Sequence, residues 1–321
     1  GIFLLLFAVN MAVVVQNIGG IKEALLLFGI SPIVLPVIVG GLFLFVVQTQ
    51  YRTIEQFFFV LIAFYVAYII SAWYAKPDWN LALRSLVVPQ GPLTPRFLYT
   101  AIAVLGATIT AWGQFFVNSY VKDKRLSVEN LRYNKFEVYI GAFLTNAFSF
   151  FMMVAVAATL FIGGIHITGA ADAALAIRPF AGNLAGILFG TGLLVAGMLG
   201  CIIVPLTTAY AFSEFFGYSG SLDEDFRKSR LFYITLLIQL VIGTIIVLIP
   251  NVSLFTLTLV ANFANGMILP VIFYFLYQFA NNERIMGEHR NNRFQNILLI
   301  GSAIVISVAS LFGLVGHLLG F

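Results

Sequence analysis

The feature that most constrains this chain is a series of apolar runs, each long enough to cross the roughly 30 Å of hydrocarbon in a bilayer. About nine such runs occur, and short connections separate them. We label them A to I, in order 2–18, 31–48, 56–75, 97–119, 137–163, 183–212, 231–250, 253–279 and 296–320. The sequence therefore predicts an all-α, polytopic membrane helical bundle that forms a single transmembrane domain over residues 1–321.

The composition supports a membrane location. Hydrophobic residues make up 61% of the chain and charged residues only 9%, whereas soluble domains carry about 25% charged residues. The formal net charge of +4 does not indicate nucleic-acid binding, because the basic residues lie in short loops between apolar runs. We predict a lipid bilayer as the surroundings of the chain and no nucleic-acid partner.

The distribution of basic residues among the loops predicts the orientation. Loops B–C, D–E, F–G and H–I carry 12 of the 17 lysines and arginines: Arg52, Lys122, Lys124, Arg125, Arg132, Lys135, Arg227, Lys228, Arg230, Arg284, Arg290 and Arg293. The opposite loops carry the other five: Lys22, Lys76, Arg84, Arg96 and Arg178. By the positive-inside rule the first set is cytoplasmic, so segment A starts on the cytoplasmic side. We expect the plasma (inner) membrane of a prokaryote.

The chain lacks the residue groups that an enzyme would need. Its single cysteine, Cys201, lies in an apolar run, which excludes a disulfide framework. The histidines His166, His289 and His317 are far apart in sequence, and no nucleophile–base or metal-binding motif accompanies them. We therefore predict neither catalytic residues nor a cofactor.

Segment D contains an unusual stretch, GATITAWGQFFVNSY (106–120), with several polar groups at mid-span. Gly106 and Gly113 weaken a helix, and the residues between them are β-branched or polar. Secondary transporters build substrate sites at discontinuous membrane helices, so we predict an interruption between about Gly106 and Gly113. The residues alone also fit a continuous helix in which Thr108 and Thr110 bond back to their own backbone.

The order of motifs along the chain gives a more specific indication. Segment D and the loop after it read GATITAWGQFFVNS and then VKDKRLSVENLRYN. Two further motifs lie upstream: LLFGI (26–30) and AKPDWNLALRSLV (75–87). Two more lie downstream: ILP (268–270) and RIMGEHRN (284–291). In this order they resemble the Nramp family of divalent-metal transporters, whose sixth helix carries a stretch like GATVMPHNLYLHS before a loop ending in LRYN. The resemblance covers family helices three to eleven. It implies a LeuT-like inverted-repeat transporter fold (amino-acid permease superfamily), with the first two helices of the same protein missing.

The sequence departs from the family at the metal-binding signature. The family's MPH motif supplies a methionine thioether to the metal, and the corresponding residues here are Thr110, Ala111 and Trp112. A soft sulfur ligand favours transition metals, whereas a hydroxyl or carbonyl suits hard cations. The substitution therefore favours Mg²⁺ over the family's usual ions.

A second departure concerns the proton path that the resemblance implies. Aligned through Gly19, the family's acidic third-helix positions hold Val13 and Gln16, and the sixth-helix histidine falls at Val117 or Asn118. None of these side chains titrates. Both departures together resemble the Nramp-related magnesium transporters, which carry Mg²⁺ without proton coupling.

The resemblance and the chemistry of Mg²⁺ together suggest a metal site. Mg²⁺ takes oxygen ligands and retains several waters, so a wide wall of neutral acceptors is expected: Ala107 (its carbonyl), Thr110, Trp112 (by position), Gly113, Gln114 and Asn262. Asn262 falls near the position of a family glutamine, and Asn265 shares its helix face. Hydrogen bonding between helices explains the two amides equally well. The transported ion would be Mg²⁺, with Mn²⁺ also accepted, and an acidic residue on the missing first helix would supply the full charge.

Other residues and functions remain open at this stage. Glu214 ends segment F and fits an interfacial structural position, while Gln16 and Asn17 can face a water-filled path. The alternatives are an Nramp-type proton-coupled Mn²⁺/Fe²⁺ transporter, an amino-acid permease of the same architecture, and a membrane subunit that does not transport.

Overall fold

The computed structural model describes residues 2–48, 65–88, 94–123, 126–218, 220–222, 224, 226–250 and 253–318. Within these ranges all regular secondary structure is helical, and seven helices are long and apolar enough to cross a membrane. The prediction of an all-α, polytopic transporter fold is therefore confirmed. Residues 56–64 of segment C and the loop residues Arg52, Lys124 and Arg125 lie outside the described ranges.

The long α-helices follow the predicted segments in order, segment D contains two helices, and short helices occur in several of the connections. They are α1 (Ile2–Leu27), α2 (Leu35–Gln48), α3 (Val66–Tyr74), α4 (Trp79–Ser85), α5 (Pro95–Thr108), α6 (Ala111–Asp123), α7 (Leu131–Val156), α8 (Ala170–Ala174), α9 (Arg178–Ala181), α10 (Ala185–Phe216), α11 (Arg230–Leu248), α12 (Leu254–Ala280), α13 (Glu283–Met286) and α14 (Arg293–Leu318). One turn of π-helix, Ala157–Phe161, extends α7.

Two helix ends differ from the prediction for identifiable reasons. Helix α1 continues to Leu27 instead of ending at residue 18, although Lys22 lies within the added turns. The Lys22 ammonium donates a hydrogen bond to the carbonyl of Val247 at 2.9 Å, near the C-terminal end of α11, where a cation is favourable. Helix α7 begins at Leu131, earlier than residue 137, because a capping box between Ser127 and Asn130 starts the preceding turn.

The described chain divides into two compact units. The smaller unit comprises residues 1–13, 91–115 and 256–321, and the larger unit comprises residues 14–90 and 116–255. Helices α1, α6 and α12 each contribute residues to both units, because divisions fall after residues 13, 115 and 255.

In the larger unit, α1 and α10 pack through glycines of α10. A Cβ on Gly197 would lie 2.7 Å from the backbone oxygen of Asn17, and a Cβ on Gly200 would overlap the Asn17 carboxamide. Small residues at such crossings let helix backbones approach closely. Helix α11 packs along α10, and buried Gln239 donates a hydrogen bond to the carbonyl of Pro205 at 3.2 Å.

In the smaller unit, α5 packs along α14 and crosses α12 through glycines. A Cβ on Gly106 would overlap the carbonyl oxygen of Asn262, and a Cβ on Gly266 would lie 2.8 Å from the carbonyl oxygen of Ile102. A stacked pair of Tyr99 and Phe263, with ring centroids 4.4 Å apart, lies beside this crossing. The crossing places the C-terminal end of α5 directly against the middle of α12.

Candidate metal-ion site

Segment D is interrupted where the sequence predicts. Helix α5 ends at Thr108, Ile109 has φ −109° and ψ 89°, and α6 begins at Ala111. The Ile109 amide donates the last hydrogen bond of α5, to Leu105, at 2.8 Å. Because the chain leaves the helix here, the last carbonyls of α5 have no helical donors of their own.

The local sequence explains the break. Thr108, Ile109 and Thr110 are three consecutive β-branched residues, which lose rotamer freedom in a helix. The Thr108 hydroxyl donates a hydrogen bond to the carbonyl of Val104 at 2.9 Å, so this threonine does bond back to its own helix. That bond stabilises the final turn of α5 but does not carry the helix past the break.

Thr110 and Gly113 lie together at the start of α6. The Thr110 hydroxyl lies over the first turn of α6, because a Cβ on Gly113 would lie 3.0 Å from Thr110 Oγ1. Thr110 precedes the first helical residue, the position at which a hydroxyl covers free backbone amides. The hydroxyl oxygen therefore lies directly at the interruption, where the resemblance places the methionine.

Asn265 connects α12 to the break. The Ala111 amide donates a hydrogen bond to Asn265 Oδ1 at 3.4 Å, and both residues are fully buried. The Asn265 amide group in turn donates to the carbonyl of Ala261 at 3.4 Å. Of the two asparagines on this face of α12, Asn265 is the one whose side chain hydrogen-bonds at the interruption.

All six predicted site residues lie in the smaller unit. Ala107 and Gln114 are exposed, and Thr110, Trp112, Gly113 and Asn262 are half-buried. The structure brings Thr110 against Gly113, and the Asn262 backbone against Gly106. The assignment of all six to a metal site stays a prediction.

The two helix ends at the interruption carry partial charges of opposite sign. The C-terminal end of α5 carries a partial negative charge and the N-terminal end of α6 a partial positive charge. Among the described residues no group of three or more His, Cys, Asp or Glu side chains could hold a metal ion. The polar groups of the described residues around the interruption are backbone carbonyls, the Thr110 hydroxyl and side-chain amides.

The C-terminal half of α6 is tied to α10 in the larger unit. Asn118 Nδ2 donates to Glu214 Oε2, and Ser119 Oγ donates to Glu214 Oε1, both at 3.4 Å. Glu214 is exposed at the end of α10. The carboxylate thus contacts α6, a partner that its position in the sequence did not reveal.

The remaining positions of the implied proton path carry no ionisable group. Val13 is buried and Val117 is exposed. Gln16 is half-buried, and its Oε1 atom is buried without a hydrogen-bond partner among the described residues. His166 and His289 are exposed in connecting segments.

These features define a class of protein: an integral, multi-pass membrane protein with an interrupted helix of the kind found in secondary transporters. The family described as natural resistance-associated macrophage protein-like, or Nramp, matches residues 1–316, and the chain belongs to this family. The resemblance seen in the sequence is thereby confirmed.

Individual relatives are proteins named divalent metal cation transporter MntH. The chain is 26% identical to that of Vibrio campbellii (strain ATCC BAA-1116) over 254 residues, covering 77% of the chain and 56% of the relative. It is 24% identical to that of Bacillus subtilis (strain 168) over 318 residues, covering 92% and 69%. It is 22% identical to that of Yersinia pestis (strain Pestoides F) over 283 residues, covering 86% and 61%.

The chain thus spans a little over half to about two thirds of the length of these relatives. The relatives are named as transporters, and the prediction that the chain is not an enzyme is confirmed by its family.

Proposed function

We propose that the full-length protein containing this chain carries divalent metal cations across the membrane and accepts Mg²⁺ together with Mn²⁺. The observation that supports this most strongly is the interruption of segment D, with the Thr110 hydroxyl at the position where the resemblance places a methionine. Membership of the Nramp family and similarity to proteins named divalent metal cation transporters support the broader part of the proposal.

The preference for Mg²⁺ follows from ligand chemistry. Without a thioether, the proposed wall consists of the carbonyl end of α5, the Thr110 hydroxyl and the amides of Gln114 and Asn262. Hard cations prefer such oxygen ligands, and Mg²⁺ gives up its waters reluctantly. The ion would pass through a wide site with part of its hydration shell in place.

Transport would proceed without proton coupling. The positions at which the resemblance implies acidic residues and a histidine hold Val13, Gln16, Val117 and Asn118. None of them exchanges a proton near neutral pH. The membrane potential and the ion gradient would then supply the driving force.

The location and orientation of the protein belong to the same proposal. The basic residues of loops B–C, D–E, F–G and H–I favour a cytoplasmic start for α1. The similarity to bacterial relatives favours the plasma membrane of a prokaryote.

A second candidate is the proton-coupled Mn²⁺/Fe²⁺ transport that the resemblance implies for Nramp transporters in general. The similarity to proteins named MntH favours it, whereas Thr110 and the four non-titrating positions favour the first candidate. Family membership disfavours an amino-acid permease.

Competition uptake separates the two candidates. The full-length protein is reconstituted in proteoliposomes, and Mn²⁺ uptake is followed under a fixed, inside-negative potential with and without millimolar Mg²⁺. We expect Mg²⁺ to suppress Mn²⁺ uptake and to enter the vesicles itself. Strong Mn²⁺ uptake that millimolar Mg²⁺ does not affect would refute the proposed preference.

A further inference from the structure

The hydrogen bond between α12 and the start of α6 has a consequence for ion selectivity. We propose that Asn265 is a positioning residue for cation transport: its carboxamide oxygen covers the first backbone donor of α6, so that the interruption presents oxygen acceptors to the ion. This inference rests on the proposed role of the interruption as part of the ion path.

The electrostatics of a broken helix create the need for such a residue. The carbonyl end of α5 attracts a cation, but the first amides of α6 point N–H groups into the same gap and repel it. The Ala111 N–H is the first of these donors, and Asn265 Oδ1 accepts its hydrogen bond at 3.4 Å. The bond occupies this donor, and the partial negative charge of the carboxamide oxygen offsets the partial positive charge of the N–H.

The orientation of the carboxamide is fixed by its second hydrogen bond. Asn265 Nδ2 donates to the carbonyl of Ala261, one turn earlier on α12. With the nitrogen held there, the oxygen faces Ala111. A flipped amide would place an N–H donor against the Ala111 N–H and its oxygen against the Ala261 carbonyl, so both hydrogen bonds would be lost, which is costly in a buried position.

The helix crossing brings the short asparagine side chain within reach. Gly266, the next residue of α12, lies against the backbone of Ile102 on α5, and the Ser310 hydroxyl on α14 donates to the Gly266 carbonyl at 3.4 Å. These contacts hold α12 at the level of the break. A buried apolar cluster of Ala111, Ile268 and Ile272 lies on the adjoining turns and keeps water from competing for the bond.

A positioning role makes a prediction that a purely structural role does not. Asn265→Leu has nearly the same shape but no acceptor, so the Ala111 N–H becomes free to repel the ion, and the KM for Mg²⁺ should rise roughly three- to tenfold, the range that one hydrogen bond represents. Asn265→Asp keeps the acceptor and adds negative charge, so the KM should fall. If Asn265 only stabilises the helix packing, the maximal rate should fall in both variants while the KM stays unchanged.

The test measures initial rates of Mg²⁺ uptake by proteoliposomes that contain the full-length protein, across a range of Mg²⁺ concentrations. Asn146→Leu is the matched control, because Asn146 is exposed on α7 and, among the described residues, hydrogen-bonds only to the Ala142 carbonyl of its own helix. Its KM should equal that of the unsubstituted protein. Should Asn265→Leu fail to fold, Asn265→Asp still decides the matter by its KM.

The outcomes distinguish this inference from the proposed function. Opposite KM changes in the two Asn265 variants, with an unchanged control, would support the positioning role. Equal KM values in a protein that transports divalent cations would overturn it and leave the proposed function intact. Absence of divalent-cation uptake by the unsubstituted protein would overturn both.

Discussion

Gly106 of α5 lies directly against the backbone carbonyl of Asn262 on α12, in a space that a single added Cβ would overlap. No side chain stands between the two helices at this point. Backbone therefore meets backbone one turn before the interruption of segment D. Replacement of this glycine should disturb the site more than replacement of any open glycine.

We expect Gly106→Ala to destabilise the folded protein by about 1–3 kcal/mol, the usual cost of overpacking, because the backbone oxygen of Asn262 cannot move aside like a flexible side chain. Gly141→Ala on α7 is the control, since a Cβ there has no neighbour within 4 Å; alanine in an open helix position stabilises by up to about 1 kcal/mol. Thermal unfolding in detergent measures both. Equal Tm values for the two variants would show that the crossing can relax.

The Thr110→Met substitution should shift selectivity from Mg²⁺ toward Mn²⁺, because it places a thioether at the interruption. We expect the ratio of the Mn²⁺ and Mg²⁺ uptake rates to change about tenfold, because even residues that only hydrogen-bond to metal ligands alter metal affinity by about 10- to 100-fold. Competition uptake by the substituted and unsubstituted proteins measures this ratio. Thr108→Met is the control, because the Thr108 hydroxyl is engaged with Val104. The same shift in both variants would argue against a specific role for Thr110.

Uptake of Mg²⁺ or Mn²⁺ should move no protons. A divalent cation gains about 4.6 kcal/mol from a potential of 100 mV, twice the value for a single charge, so the potential is an adequate driving force. Proteoliposomes loaded with a pH-sensitive dye, held at a fixed potential, measure the internal pH as metal is added. Acidification that scales with metal uptake and requires the protein would reveal a proton path outside Val13, Gln16, Val117 and Asn118.

Glu214→Ala should loosen the C-terminal half of α6. The substitution removes the acceptor for Asn118 and Ser119, and each hydrogen bond contributes about 0.5–1.5 kcal/mol. Hydrogen exchange of the amides of residues 116–123 should therefore accelerate several-fold, as measured by mass spectrometry. Glu214→Gln retains an oxygen acceptor and should have a smaller effect. Unchanged exchange in Glu214→Ala would mean that packing alone holds this part of α6.

The sequence predicted the position of the interruption because its cause is local. Two glycines flank the β-branched residues at 108–110, and the helix ends among them. Helix ends that depend on distant partners were harder to predict. Lys22 looked like a boundary of segment A, but its ammonium finds a carbonyl of α11 and the helix continues.

The partner of the interruption on α12 could not be identified from the sequence. Asn262 and Asn265 share one helix face, and the family resemblance selected Asn262. The position along α12 at which α5 crosses determines which of the two asparagines reaches Ala111. Gly106 and Gly266 set that position, because the two helices come into close contact at these glycines. The sequence does contain one indication in favour of Asn265, because this residue directly precedes Gly266. A buried amide beside a small residue at a helix crossing favours a bond to the neighbouring helix.

The contact of α1 with α10 affects how the larger unit can move. Gly197 meets the backbone oxygen of Asn17 and Gly200 meets the Asn17 carboxamide, so the two helices are in direct contact here, with one short side chain between them. During any conformational change of the larger unit, the part of α1 within that unit and α10 should therefore move together, with Asn17 at their contact.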